Sequence, residues 1–437
     1  MSIALSTDLY QLTMMAGYFQ SNRHRRRATF ESFVRRLPKN RSCLVAAGLE
    51  QALQYIEHLR FTDADVAFIR ELPAFARVDD SFFDYLREFR FTGDVWAMRE
   101  GTPFFPNEPF LRVTAPLAEA QLLETALLAI VNFQTAIASK AHRIVQAAGA
   151  RPVVEFGARR AHGLEAALFA ARAAYLAGAS GTSFVEAGQQ FGIPLTGTMA
   201  HSWVLAAATE REAFTSYAAI FDPHTVLLLD TFDVEAALRA AIDAGMRPAA
   251  VRIDSGDLVE LSRTVRRMLD AAHLTSTRII VSGDLDEWKI QEMARAQAPV
   301  DTYAVGTALS TSDDAPALGG VYKLVEIESD GVMHPVMKRS TGKSTWPGRK
   351  QVWRVLERGV AARDVIGFEA DATPPAGEAL LEIVMRDGQR VGAPPALDDL
   401  RRRRAEMVAM LPPAFRELST SIDYDVERTA ALSRAIT

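Results

Sequence analysis

Ala249-Ala250-Val251-Arg252-Ile253-Asp254-Ser255-Gly256-Asp257 runs from an apolar strand into a charged, glycine-containing turn, and a helical stretch follows. Arg252 and Asp254 stand two residues apart, so an extended backbone puts both side chains on one face. The same grammar recurs on either side of this segment. The polar stretches are Glu155 to Arg160, Ser180 to Ser183, Gly197 to His201, Asp230 to Asp233, Ser282 to Asp284 and Gly306-Thr307, most of them preceded by a short apolar run. Alternation of strand and helix predicts a parallel sheet. Six or seven such units suggest a β/α barrel, with a doubly wound open sheet as the second architecture. In a barrel, functional residues gather at the C-terminal ends of the strands, where these polar stretches fall.

The flanks read differently. Up to about residue 116 the chain mixes short strands (Phe30 to Val34, Val95 to Met98) with a helix at Leu49 to Leu59, and an alanine- and leucine-rich helix is expected from Ala118 to Ile137. After residue 320, Tyr322 to Ile327 and Val352 to Val355 read as strands, with a basic loop, residues 338–350, between them. The tail from Asp398 reads as a charged helix, and its run Arg401 to Arg404 as a solvated face. The expected division is therefore 1–116, 117–320 and 321–437.

Composition narrows the class. The 437 residues are 49% hydrophobic and 24% charged, with a net charge of −5, the balance of a globular protein with a large core rather than of a nucleic-acid binder. One cysteine, Cys43, excludes an internal disulfide and fits a cytoplasmic setting. No secretory leader is visible, and the greasiest stretch, Leu122 to Val131, is too short to span a membrane and contains Glu124.

The strand ends carry the chemistry. Ser282-Gly283-Asp284 and Gly306-Thr307 each follow an apolar run, and glycine lets backbone N–H groups approach a phosphate closely. There is neither a GxxxxGK[ST] loop nor a GxGxxG after a strand, which disfavours Walker-type and Rossmann chemistry. Arg252 can clamp a phosphate or carboxylate, and Asp254 can accept from sugar hydroxyls or help hold Mg²⁺; an internal ion pair is the other use of the same two residues. Phe156 and Arg159, three apart, suit a flat anionic aromatic ligand, or Arg159 forms a structural ion pair. His201 closes Gly197-Thr198-Met199-Ala200-His201, as a reactive imidazole or a hydrogen-bonded structural one. No metal-ligand spacing such as HExxH is present, so no protein-held metal is assigned.

Together these segments, with Thr7-Asp8-Leu9-Tyr10-Gln11-Leu12-Thr13-Met14 and Pro347-Gly348-Arg349-Lys350-Gln351-Val352, resemble the nicotinate phosphoribosyltransferase family over nearly the whole chain. The resemblance implies an irregular, TIM-like β/α barrel plus a discontinuous α/β domain built from both chain ends. It also implies a homodimer with a shared active site, to which Asp8 and Tyr10 of one subunit reach across. The pyridine ring would lie between Tyr10 and Phe156. Arg159 and Arg252 would face the carboxylate and the pyrophosphate, and Asp254 the ribose, with Thr198, Ser255 and Gly256 in the same binding motifs. Gly283, Asp284, Gly306 and Thr307 would cradle the 5′-phosphate. The implied reaction joins nicotinate to phosphoribosyl pyrophosphate, with Mg²⁺ accompanying the phosphates and ATP coupled through phosphorylation of His201. The nicotinamide-specific relative carries an aspartate where this chain has Ser183, and a serine does not repel a carboxylate. The remaining alternatives are a non-catalytic sugar-phosphate-binding barrel and a barrel enzyme of other chemistry; for the latter, no Schiff-base lysine stands among the strand ends.

Overall fold

The computed structural model describes residues 3–340, 343–371, 375–418 and 422–436, so residues 341 and 342 of the basic loop lie outside it. The chain forms two compact units. The first comprises residues 1–136, 317–415 and 419–437; the second comprises 137–316 with 416–418.

The second unit is built on six short parallel strands. Their order across the sheet is Gly181–Thr182, Val153–Glu155, Thr302–Val305, Arg278–Val281, Ala250–Ile253 and Val226–Leu228. Strands such as Ala250–Ile253 and Thr302–Val305 are buried at every position, as expected of a parallel sheet covered on both faces. Helices return the chain from strand to strand, and aspartates cap three of them. Asp233 accepts from the N–H of Ala236, Asp257 from Val259 and Glu260, and Asp286 from Trp288 and Lys289. The helix Leu258–Ala271 buries Ser262, Val265 and Leu269, one face at helical spacing.

The α/β class and the parallel sheet stand; the closed barrel does not. Among the described residues Gly181–Thr182 and Val226–Leu228 remain as two free edges. Beyond Thr182 only a single bridge, to Leu195, extends the sheet. The intervening chain cannot supply a full strand: Gly192 is left-handed (φ 69°), and Pro194 has no N–H to give to a ladder. Gly197 to His201 therefore follows a bridge rather than a strand.

The first unit is mainly antiparallel, with one parallel pair between Val360–Phe368 and Val426–Arg428, and is drawn from both chain ends. Its seven-stranded sheet runs Val332–Pro335, Gly320–Ser329, Arg27–Val34, Leu111–Pro116, Asp94–Met98, Leu381–Arg386, Gln389–Arg390. Arg27–Val34 pairs with Leu111–Pro116 on one side and Gly320–Ser329 on the other, so residues some 300 apart in sequence share a ladder. A four-stranded sheet (Glu378–Ala379, Lys350–Glu357, Val360–Phe368, Val426–Arg428) completes it. The helix Leu49–His58 forms as expected. The single helix expected from Ala118 to Ile137 is two, Leu117–Leu122 and Glu124–Ala148, separated at Leu123. In the tail helix Leu397–Ala409, the arginine run is not wholly solvated: Arg402 pairs with Asp399 at 2.7 Å, but Arg404 is buried, with Gly101 close enough that an added Cβ would sit 2.8 Å from it. Burial lowers the Arg404 pKa to about 10. No described helix is long and apolar enough to cross a membrane.

Candidate active site

At the carboxyl edge of the parallel sheet, Arg252 reaches three partners at once. Its Nε donates to Ser282 Oγ at 2.8 Å, one terminal nitrogen to Thr198 Oγ1 at 3.0 Å, and the other to Asp254 Oδ1 at 2.7 Å. The strand fixes the last contact, because Arg252 and Asp254 share a face. The neighbouring strand brings Ser282, whose hydroxyl also bonds Asp254. Burial alone would raise the Asp254 carboxyl; the Ser282 hydrogen bond and the Arg252 guanidinium outweigh it and hold the group below its ordinary value. Asp254 is thus a carboxylate at neutral pH.

His201 begins the helix His201–Leu205 and stays 42% exposed at its side chain. Its Nδ1 lies 3.1 Å from Thr231 Oγ1, and its Nε2 lies 3.8 Å from Asp254 Oδ2. Phe156, held by its N–H to the Val305 carbonyl at 2.8 Å, turns its ring toward Arg252, whose guanidinium carbon is 5.7 Å from the ring centroid. Beneath it, buried Glu155 accepts from the Gly157 N–H and, at 2.6 Å, from the Thr182 hydroxyl. Burial raises the Glu155 carboxyl in spite of those two bonds.

These groups surround an open cleft of about 890 Å³ including its mouth, lined by Phe156, Ala158, Arg159, Ser183, residues 197–201, Leu228, Arg252 and Asp254. That volume accommodates a small-molecule ligand. Of the residues singled out from sequence, Phe156, Arg159, Ser183, Thr198, His201, Arg252 and Asp254 meet here. The others are not among the lining residues. Ser255 donates to Asp230 at 2.6 Å, and Gly256 forms the left-handed turn after it. Gly283 and Asp284 take left-handed backbone at the end of the next strand. At Gly283 a Cβ would stand 1.9 Å from the Asp254 carbonyl oxygen, so only glycine fits. Gly306 packs on the Phe156 carbonyl, and Thr307 opens the short helix Thr307–Thr311. Asp8 and Tyr10 belong to the first unit, where Asp8 accepts from Thr125 at 2.7 Å and the Tyr10 hydroxyl donates to Glu124 at 3.2 Å.

Three functional neighbours carry no role in the sequence reading. Ser282 bridges Arg252 and Asp254. Asp230 accepts from the Asp254 N–H at 3.1 Å as well as from Ser255. Thr231 holds His201. Each lies in a polar strand-end segment, which is the one signal that could have flagged it. No described group of three or more His, Cys, Asp or Glu is placed to hold a metal. The helix Glu287–Arg295 offers no open N-terminus to a phosphate either, since Asp286 already takes the N–H groups of Trp288 and Lys289.

A buried guanidinium, a carboxylate kept ionised and an exposed imidazole thus line one cleft of a parallel α/β sheet, a donor set whose chemistry suits an anionic ligand. Residues 5–132 match the family model for the nicotinate phosphoribosyltransferase N-terminal domain, and residues 152–356 match that for the nicotinate phosphoribosyltransferase family. The chain belongs to the nicotinate phosphoribosyltransferase family. A Mycobacterium tuberculosis nicotinate phosphoribosyltransferase is 44% identical over 431 residues, spanning 97% of this chain and 91% of its own. One from Bacillus subtilis is 46% identical over 368 residues, 82% of this chain and 74% of its own. The crystal structure of human nicotinic acid phosphoribosyltransferase superposes with a TM-score of 0.85 at 30% identity, covering 98% of each chain.

Proposed function

We propose that this chain transfers the phosphoribosyl group of phosphoribosyl pyrophosphate to nicotinate, releasing pyrophosphate, and that ATP drives the reaction by phosphorylating His201. The observation that carries the proposal is the convergence of Arg252, Asp254, His201 and the Phe156 ring on one cleft. Displacement at the anomeric carbon passes through a cationic sugar with a polyanion leaving. The site must therefore hold the ring nitrogen in line and neutralise the pyrophosphate. Phe156 takes one face of the pyridine, while Arg159 and Arg252 pair with its carboxylate and with the pyrophosphate. The Asp254 carboxylate faces the ribose and favours positive charge there. Backbone N–H groups of Gly283, Asp284, Gly306 and Thr307 receive the 5′-phosphate, and Mg²⁺ arrives with the phosphate substrates. Tyr10 and Asp8 act in the cleft of a second copy, in a homodimer. The single cysteine and the phosphorylated substrates fit a cytoplasmic enzyme.

Incubation with phosphoribosyl pyrophosphate and nicotinate, nicotinamide or quinolinate tests the reading, with mononucleotide and pyrophosphate as products. Nicotinate alone should react efficiently; product only from another acceptor would discard the assignment. Ser183, exposed on the lining, bears on acid against amide. Ser183→Asp should lower kcat/KM for nicotinate about tenfold or more, the cost of a like charge at close range, and admit nicotinamide. Undiminished nicotinate turnover in that variant would remove Ser183 from the specificity determinants.

A further inference from the structure

The roles above leave Thr231 unused, yet its hydroxyl sits 3.1 Å from Nδ1 of His201. The other ring nitrogen, Nε2, stands 3.8 Å from Asp254 Oδ2. Thr231 follows the strand Val226–Leu228 and Asp254 follows its neighbour Ala250–Ile253, so two adjacent strand ends face the two nitrogens of one imidazole. The rest of the ring opens to the cleft. The helix that bears His201 has only five residues and gives the side chain no hydrogen bond of its own among the described contacts. At 3.8 Å the carboxylate is beyond hydrogen-bond reach of Nε2, so among the described contacts Thr231 is the group that fixes the tautomer. With the proton on Nδ1, the Thr231 hydroxyl oxygen accepts from it, and Nε2 keeps a free lone pair on the side of the cleft that Asp254 lines.

We propose that Thr231 is a positioning residue for His201, fixing both the orientation and the tautomer of the imidazole. Thr231 acts through the histidine and does not touch substrate. This rests on the reading of His201 as the phosphorylated residue. Holding the ring in this rotamer and tautomer presents the Nε2 lone pair to the γ-phosphorus of ATP; the N–P bond forms as the bond to the bridging oxygen breaks and ADP leaves. A rotating or mixed-tautomer ring would offer that lone pair only part of the time.

Thr231→Val preserves volume and β-branching while removing the hydroxyl, and Thr231→Ser restores the hydroxyl without the methyl. Two measurements on the full-length chain at one fixed pH decide the matter. The first is the initial rate at which acid-labile phosphate is incorporated from γ-labelled ATP. The second is the ¹⁵N resonance of the His201 ring nitrogens, assigned by their disappearance in His201→Ala. Thr231→Val should slow phosphorylation about tenfold, the scale of one lost hydrogen bond in a positioned group, and should move the Nδ1 resonance. Thr231→Ser should recover both. Wild-type phosphorylation with an unmoved Nδ1 resonance in Thr231→Val overturns the proposal, as does failure of the serine variant to rescue. If the wild-type chain takes up no phosphate, the phosphohistidine reading falls. The Nδ1 resonance then judges Thr231 alone, and no shift in Thr231→Val overturns its role as well.

Discussion

In the first unit, Arg354 and Asp364 face each other across adjacent strands, with side chains 1% and 0% exposed. In the second, Arg252 is on the strand Ala250–Ile253 and Asp254 is the residue just past it, and a quarter of the aspartate side chain remains in water. Both are short arginine–aspartate pairs, at 2.6 and 2.7 Å. The first is a closed structural knot: Asp364 takes two bonds from Arg354 and a third from the Tyr424 hydroxyl, while burial drives neighbouring Glu108 toward its neutral form. The second is open on one side, toward His201 and the cleft. Identical chemistry thus serves structure where every partner is internal, and becomes available for a ligand where one side is left free. Residence in one unit or the other is not what decides this. Lys140 and Glu287, in the second unit, pair at 2.7 Å at 2% and 0% exposure and lie away from the cleft lining.

The largest expected effect tests the closed pair. Arg354→Met leaves the Asp364 carboxylate buried without its cation and should destabilise the chain by about 3–5 kcal/mol, read by denaturant melting. If the loss is under about 1 kcal/mol, as for an exposed pair, the contrast with Arg252 fails. Next comes the open pair's support. Gly283→Ala forces the backbone of one strand end off the Asp254 carbonyl and should cut kcat/KM about 100-fold, because a displacement of about 1 Å at a positioned group has that cost. Circular dichroism should show the fold retained; unchanged turnover would mean that the two strand ends are not coupled.

The smallest effect concerns another buried acid of the first unit. Glu119 accepts from the Thr92 N–H at 2.7 Å, yet burial raises its pKa to about 7. Between its ordinary value of about 4.5 and 7 the folded chain binds more protons than the unfolded one, so this group makes stability fall as pH rises, by at most about 1.4 kcal/mol per pH unit. Below that window it contributes no slope, and above it the loss is complete. Glu119→Gln should therefore match the wild type in melting temperature near pH 4 and exceed it near pH 8. Equal melting temperatures at both pH values would show that the carboxyl is not held neutral by the fold.

The site was more legible in the sequence than the sheet that carries it. Arg252 and Asp254 are two apart at a strand end, and the extended period carried one residue past the strand sets them side by side. Phe156 and Arg159 stand three apart around one short turn after a strand, so both reach the same cleft. Closure of the sheet is a property of pairs far apart in sequence, and the segment that had to close it carries Gly192 and Pro194, which a count of strand-like repeats overlooks. Thr231 and Ser282 escaped for another reason. A single hydroxyl past a strand has no pattern of its own, and acquires a role only when another strand delivers an imidazole or a guanidinium to it. The buried partners Lys350 and Glu31, 2.8 Å apart, escaped for the same reason, being brought together by strands from opposite ends of the chain.

The Phe156 ring has two faces, and the guanidinium of Arg252 is set over one of them. The ring also packs on Ala250, Ile280 and Ala304, so a planar molecule entering the cleft meets only the part of it that lines the cleft. Useful inhibitors of this cleft should therefore be thin, extended within the plane of the heterocycle rather than branched out of it.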